Sequence, residues 1–101
     1  MSKESFEKKA CRTPNAMGVT HIPAWKFTAI REAVLQSLSG ADASGLSLKD
    51  LRIAAKGKMR PETLEKLGSW GWHFTTTKLE MEVAGDLSRI AGRSPQHVVL
   101  T

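Results

Sequence analysis

The chain has 101 residues, which is the length of one small domain, and its 41% hydrophobic and 25% charged residues argue against a disordered or fibrous protein. Its 15 Lys and Arg residues outnumber its 10 Asp and Glu residues, and the resulting net charge of +5 permits polyanion binding without requiring it. The single cysteine, Cys11, excludes an internal disulfide, and no apolar run reaches the roughly 18 to 20 residues that span a bilayer. The N-terminus lacks the apolar segment of a secretory signal, so we expect a cytoplasmic protein without a membrane partner.

Charge and order are expected to differ along the chain. Residues 1–60 contain 11 basic and 5 acidic residues, whereas residues 61–101 contain 4 basic and 5 acidic residues. Within residues 1–13 only Phe6 is a sizeable apolar side chain, which is too little burial to offset the entropy cost of ordering this segment. The sequence therefore predicts a mobile N-terminal tail over residues 1–13 and a single domain over residues 14–101.

The first helix is predicted from Ala24 to Ser39. Pro23 stands where a first-turn proline is tolerated, and Gly40 follows the last periodic residue. An apolar face at helical spacing is formed by Phe27, Ile30, Val34, Leu35 and Leu38.

The second helix is predicted after the loop GADASG. Ser47 precedes it and Asp50 follows three residues later, which resembles a capping box, and the helix continues to about Lys56. Leu46, just before it, can supply a short strand. The segment PETLEKL, residues 61–67, is expected to add one or two further helical turns.

The third long helix is predicted between Ser69, as its N-cap, and Gly85, which suits the left-handed conformation past a helix C-terminus. Its buried face is predicted to consist of Trp72, Thr76, Leu79 and Val83, which are spaced by four, three and four residues. Its outward residues would then include His73, Thr77 and Glu80.

Two short stretches near the C-terminus, residues 87–90 and 96–100, bracket the turn-forming AGRSP and predict a β-hairpin with a five-residue loop. Three helices followed by a hairpin is the order of a winged helix-turn-helix domain. The predicted fold class is therefore α+β, mainly helical and winged-helix-like, with three main helices.

Several segments between about residues 13 and 101 resemble those of a known protein family. They are Asn15, Gly18, AWKFTAIREAVLQSL, Gly45-Leu46-Ser47, Trp72 with Thr76, LEMEVAGDLSRI and SPQHVVL. In these segments the chain resembles a family of small bacterial proteins described only as a domain of unknown function. The chain departs from the family at Glu80 and Met81, where the family tends to have an aspartate between two leucines. The resemblance implies a winged-helix-like domain and no particular activity.

The leading functional hypothesis is a DNA-binding, transcription-regulator-like module. Basic residues surround the second helix, and in a winged helix the third helix and the hairpin also approach the duplex. The predicted contacts are Lys49, Arg52, Lys56, Lys58 and Arg60, with Thr75, Thr77 and Lys78 on the third helix and Arg89 and Arg93 in the hairpin. An ordinary solvated helix face explains the basic stripe equally well.

The competing hypothesis is a protein-interaction or self-association module of the same fold that does not bind nucleic acid. The carboxylates Glu80 and Glu82 on the third helix disfavour contact with phosphate, and Trp70 lies outside the predicted buried stripe. These three residues form the predicted partner surface. Trp25 and Trp72, by contrast, are interpreted as buried.

No residue pattern indicates catalysis. The three histidines are scattered without the spacing of a metal site, and Cys11 lies in the predicted tail. A Gly-rich phosphate loop, paired carboxylates and a nucleophile with its base do not stand out either. We therefore expect no enzymatic activity, no metal, no cofactor and no small-molecule substrate.

Overall fold

A computed structural model describes residues 7–14, 17–42, 44–92 and 94–101. These residues form an α+β fold with four helices and two small sheets, which confirms the α+β, mainly helical part of the predicted fold class. No helix within these ranges has both the length and the apolarity needed to cross a membrane. The elements in chain order are β1 (Lys8–Arg12), β2 (Val19–Pro23), α1 (Ala24–Ser39), β3 (Leu46–Ser47), α2 (Leu48–Gly57), α3 (Pro61–Leu67), α4 (Trp70–Ala84), β4 (Leu87–Arg89) and β5 (His97–Leu100).

Strands β1 and β2 form an N-terminal antiparallel hairpin, in a region where the sequence predicted the end of a tail. Cys11 and Ile22 are its buried residues, and the Lys9 ammonium lies 5.1 Å from the centre of the Phe27 ring on α1. β1 also packs against α4. Residues 1–6 of the predicted tail lie outside the described residues, and the division into a tail and one domain stays a prediction.

The helices begin and end where the local signals predicted. α1 has the predicted bounds. The Ser47 hydroxyl accepts a hydrogen bond from the Asp50 amide at 3.1 Å, and the Ser69 hydroxyl accepts one from the Trp72 amide at 3.4 Å. Gly85 ends α4 in the left-handed conformation with φ 90°, where a side chain would be strained. These features confirm the predicted caps.

The second sheet has the strand order β3–β5–β4, and all its pairings are antiparallel. Leu46 pairs with Val98, and Leu87 pairs with Leu100. The two C-terminal strands therefore lie at the predicted positions, but they belong to a three-stranded sheet in which the short strand before α2 covers the outer edge of β5. The main core lies between this sheet and the helices, and its buried residues are Ile30, Ala33, Val34, Leu38, Leu51, Ala55, Leu67, Phe74, Met81, Leu87 and Val98.

Helix α4 turns nearly the opposite face to the core from the one predicted. The predicted buried stripe lies towards solvent, because Trp72 is 51% exposed, Val83 is 36% exposed, and Thr76 and Leu79 are only partly covered. The residues predicted to point outwards are buried instead: His73, Thr77 and Glu80. The predicted orientation of α4, and with it the predicted burial of Trp72, is therefore wrong.

Helix α4 carries two sets of residues at helical spacing, the predicted stripe and a second set, and only the second faces the core. Phe74 and Met81, seven residues apart, are both buried in the main core and define the inward face. Lys78 and Glu80 flank that face and are buried as well. Their charges made this face look solvent-exposed in the sequence, but each is compensated inside the fold by an ion-pair partner.

Candidate binding surface

Among the described residues, some basic side chains form ion pairs with carboxylates and others do not. Ion pairs join Lys9 and Arg12 to Glu80, Arg31 to Asp86, and Lys78 and Arg89 to Glu82. Among the described residues, the basic side chains on and just after α2 make no such pair. This second group therefore retains its charge for an external ligand.

Glu80 is the centre of the pairing between the N-terminal hairpin and α4. Its carboxylate, 0% exposed, accepts hydrogen bonds from the Arg12 backbone amide at 2.7 Å, Nε at 3.0 Å and Nη2 at 2.6 Å. The hydrogen bonds from the Arg12 side chain lower the pKa of Glu80, against the opposing effect of burial. Burial, reinforced by the Glu80 charge, raises the pKa of the Cys11 thiol. Glu80 thus attaches the N-terminal hairpin to α4. The sequence had placed it in an exposed partner surface, and that prediction is wrong because its side chain is buried.

Glu82 is the centre of a second cluster, at the C-terminal half of α4. Its carboxylate contacts the Lys78 ammonium and accepts a hydrogen bond from Arg89 Nε at 2.6 Å. Lys78 is buried and donates to the Gln96 side-chain oxygen at 2.7 Å. The charges of Lys78 and Arg89 are therefore neutralised within the molecule.

The structure places only part of the predicted nucleic-acid site on the surface. Lys78 is buried, and so is Thr77, whose hydroxyl has no hydrogen-bond partner among the described residues. Thr75 is exposed on α4, as predicted. Arg93 lies outside the described residues. The predicted contacts of Thr77 and Lys78 with DNA are thus incompatible with their positions.

A groove separates α2 from the beginning of α4. Its volume is ≈ 520 Å³, and it is lined by Leu48, Lys49, Arg52, Ile53, Lys56 and Trp70. The Trp70 ring forms one wall and lies 5.4 Å from the Phe74 ring of the core, at an angle of 37°. A methyl group added at Gly71 would lie 3.0 Å from Arg52 Nη2, so the glycine lets the guanidinium lie close to the α4 backbone.

The five basic residues predicted around α2 do not form one continuous surface. Lys49, Arg52 and Lys56 are exposed and line the groove together. Lys58 and Arg60 are also exposed, but they line a smaller depression beside α1, which Glu32 shares. The structure therefore brings three of the five together.

Sequence reasoning missed the apolar component of this surface. Ile53 is 63% exposed and lies between the basic residues of α2. Leu48 and Leu51 are three residues apart and lie on one side of α2, and Ile53 falls outside that side. Its outward position was readable from helical spacing, but its proximity to Trp70 depends on the packing of α2 against α4.

The exposed face of α4 carries no charge. It consists of Trp72, Thr75, Thr76, Leu79 and Val83, and the two glutamates of this helix are engaged in the ion pairs described above. Trp72 packs edge-on against the His73 ring at 4.9 Å. Among the described residues, no three His, Cys, Asp or Glu side chains come together as a possible metal site.

Comparison with known proteins identifies a family but no characterised relative. Residues 8–98 match the model of a family described as "Family of unknown function (DUF6958)". No curated protein and no solved structure matches the chain. The matched residues include all four helices and nearly all of both sheets. The chain therefore belongs to the DUF6958 family of unknown function.

Proposed function

We propose that this protein is a winged-helix-like module that binds duplex DNA through its phosphate backbone. The observation that carries the proposal is the basic stripe of α2, Lys49, Arg52 and Lys56, which makes no ion pair among the described residues, together with an exposed face of α4 that carries no carboxylate. Cations that neutralise phosphates release counterions from DNA, and this release supplies most of the affinity of non-specific binding.

The order of the elements supports the winged-helix arrangement. A helix, a short strand, two helices, a further helix and two antiparallel strands follow one another, and the last strand lies between the other two in its sheet. In such domains the helix corresponding to α4 enters the major groove and the helix corresponding to α2 lies over the backbone. The short helix α3 between them is an addition to the simple pattern.

The internal ion pairs remove the main objection to DNA binding that the sequence raised. Glu80 and Glu82 outnumber the single lysine of α4, and carboxylates facing phosphates would oppose binding. In the fold, Arg12 compensates Glu80, while Lys78 and Arg89 compensate Glu82. The surface offered to DNA is therefore basic on α2 and uncharged on α4.

The proposed contacts are fewer than those predicted from the sequence. The α2 stripe would contact phosphates, and Thr75 on α4 could hydrogen-bond to phosphate or a base edge. Arg89 is engaged by Glu82, so it contributes less than a free cation would. Lys58, Arg60 and Arg93 stay predictions from the sequence.

The test is fluorescence anisotropy of a labelled mixed-sequence duplex over a series of salt concentrations. The double variant Arg52→Gln/Lys56→Gln should weaken binding and reduce the salt slope by roughly 2, because each phosphate neutralised contributes about 0.9 to that slope. The control Lys8→Gln/Lys66→Gln removes the same charge from exposed residues outside the groove and should leave the slope unchanged. Equal effects of both variants, or no binding by the wild type at low salt, would refute the proposal.

The exposed face of α4 favours a second candidate function, which is self-association. Trp72 and Val83 are large apolar residues exposed on one side of one helix, with Leu79 partly exposed between them. Contiguous apolar surface of this kind is typical of protein interfaces. Light scattering should then give a mass above 11.1 kDa at high concentration, and Trp72→Ser should restore the monomer mass. A wild-type monomer at every concentration would exclude this candidate.

A further inference from the structure

The groove between α2 and α4 has an apolar floor that contact with phosphates does not explain. Leu48, Ile53 and Trp70 line it, and Ile53 exposes 63% of its surface although it is a large aliphatic residue on a helix. The Trp70 ring packs against Phe74 and the main core, so this part of the apolar floor is held in place before any ligand binds. A volume of ≈ 520 Å³ is within the roughly 300–1,000 Å³ of ordinary ligand clefts.

The rim of the same groove is positively charged. Lys49, Arg52 and Lys56 follow one another at spacings of three and four residues, which places them along one side of α2. They are exposed and make no ion pair with a described carboxylate. The groove thus combines a preformed apolar floor with three cations that make no ion pair within the described part of the chain.

We propose that this groove binds an acidic amphipathic segment of another protein. Apolar side chains of the segment would cover Ile53 and Trp70, and its carboxylates would meet Lys49, Arg52 and Lys56. This is the recognition mode in which an amphipathic helix lays its apolar face into a hydrophobic groove, with charge complementarity at the edges. Both halves of the groove are used by such a partner, whereas a phosphate backbone uses only the cations.

The inference goes beyond DNA binding and does not depend on it. The same cations would serve both ligands, so the acidic segment and DNA exclude each other. Such a partner would release the protein from DNA if both proposals hold. A change at Ile53 distinguishes peptide binding from DNA binding, because this residue supplies apolar contact to a peptide and no charge to a phosphate.

The probe is a fluorescein-labelled synthetic helical peptide of about 15 residues, with Leu and Phe at positions i, i+4 and i+7 and Glu on both flanks. One control peptide has Gln in place of each Glu, and another has Ser in place of Leu and Phe. Anisotropy should show binding of the probe and weaker binding of both controls.

Two protein variants separate the apolar floor from the basic rim. Ile53→Ser and Arg52→Gln should each weaken probe binding by about tenfold, since each removes one major contact. Met17→Ser changes an apolar residue that is exposed outside the groove, and should bind like the wild type. Because Ile53 is largely exposed, its replacement should leave the fold intact, which circular dichroism will verify.

The outcomes distinguish this proposal from DNA binding. Loss of probe binding in Ile53→Ser with unchanged duplex binding supports the peptide groove, and so does probe binding by a protein that does not bind duplex at all. If Ile53→Ser binds the probe like the wild type while Arg52→Gln does not, the surface is a general polyanion site and the proposal is wrong. No binding of the probe by the wild type overturns it directly.

Discussion

Glu80 is the residue on which the attachment of the N-terminal hairpin depends. Its buried carboxylate accepts three hydrogen bonds from Arg12, one of them from the backbone of β1. A carboxylate buried in this way is tolerated only because it is paired and hydrogen-bonded. Removing its charge leaves the Arg12 guanidinium without its partner on α4.

The pKa of Glu80 predicts how stability depends on pH. The pKa is lowered in the folded chain, chiefly by the Arg12 hydrogen bonds, and has its usual value of about 4.3 in the unfolded chain. The stabilisation is therefore fully present above pH about 4.3 and is lost as the pH falls through the lower pKa of the folded state. Glu80→Gln should cost about 2 kcal/mol near pH 7, and its difference from the wild type should shrink in acid.

Urea unfolding of both proteins between pH 3 and 7 measures this difference. Glu65→Gln is the control, because Glu65 is exposed on α3 and has no ion pair among the described residues. It should match the wild type throughout. A difference between Glu80→Gln and the wild type that stays constant down to pH 3 would contradict the linkage to this carboxylate.

At the scale of elements, a glycine at the end of the loop that joins α1 to β3 determines how β3 pairs. Gly45 has φ 68°, and a Cβ there would lie 2.1 Å from the Val98 carbonyl oxygen of β5. This close approach of two backbones allows Leu46 to pair with Val98 and places Ser47 as the cap of α2. A side chain at residue 45 would force β3 away from β5.

Gly45→Ala should therefore destabilise the protein by about 2–4 kcal/mol, from the strained φ and the backbone clash together. Gly40→Ala is the matched control, since Gly40 has φ −89° and its Cβ would contact nothing within 4 Å. That variant should be neutral or slightly stabilising. Urea unfolding compares the two, and similar stabilities would show that β3 adjusts without cost.

At the scale of the whole molecule, the main apolar core does not extend into the N-terminal hairpin. The main cluster joins all four helices and both C-terminal strands, and it does not include Cys11 and Ile22 of the N-terminal hairpin. The hairpin is attached by these two residues, the Glu80 ion pairs and the hydrogen bond from the Ala24 amide to the Glu7 carbonyl at 2.9 Å. Regions with less buried apolar contact open at lower free energy.

Hydrogen exchange should therefore show two levels of protection. The amides of β1 that bond to β2 should exchange faster than the central amides of α4, and Glu80→Gln should accelerate β1 without affecting the centre of α4. Mass spectrometry of exchanged peptides measures both. Equal protection of β1 and α4 would mean that the hairpin unfolds only with the rest of the molecule.

The local signals of the sequence were sufficient for the helix boundaries and for part of the candidate surface. Ser47, Ser69 and Gly85 act on backbone groups only a few residues away, so their roles are readable without the fold. The exposed side of α2, with Lys49, Arg52 and Lys56, follows from helical spacing for the same reason.

Only the tertiary structure decided which face of α4 is buried and which charges are available. Arg12 and Glu80 are 68 residues apart in the chain, so no local pattern could show that this glutamate is compensated inside the fold. The same limitation concealed the hairpin at the N-terminus, the buried Lys78 and the wall that Trp70 contributes beside Ile53. Sequence determined the helix boundaries because capping and periodicity act over one or two turns, whereas the N-terminal hairpin, the inward face of α4 and the binding surface depended on partners that only folding brings together.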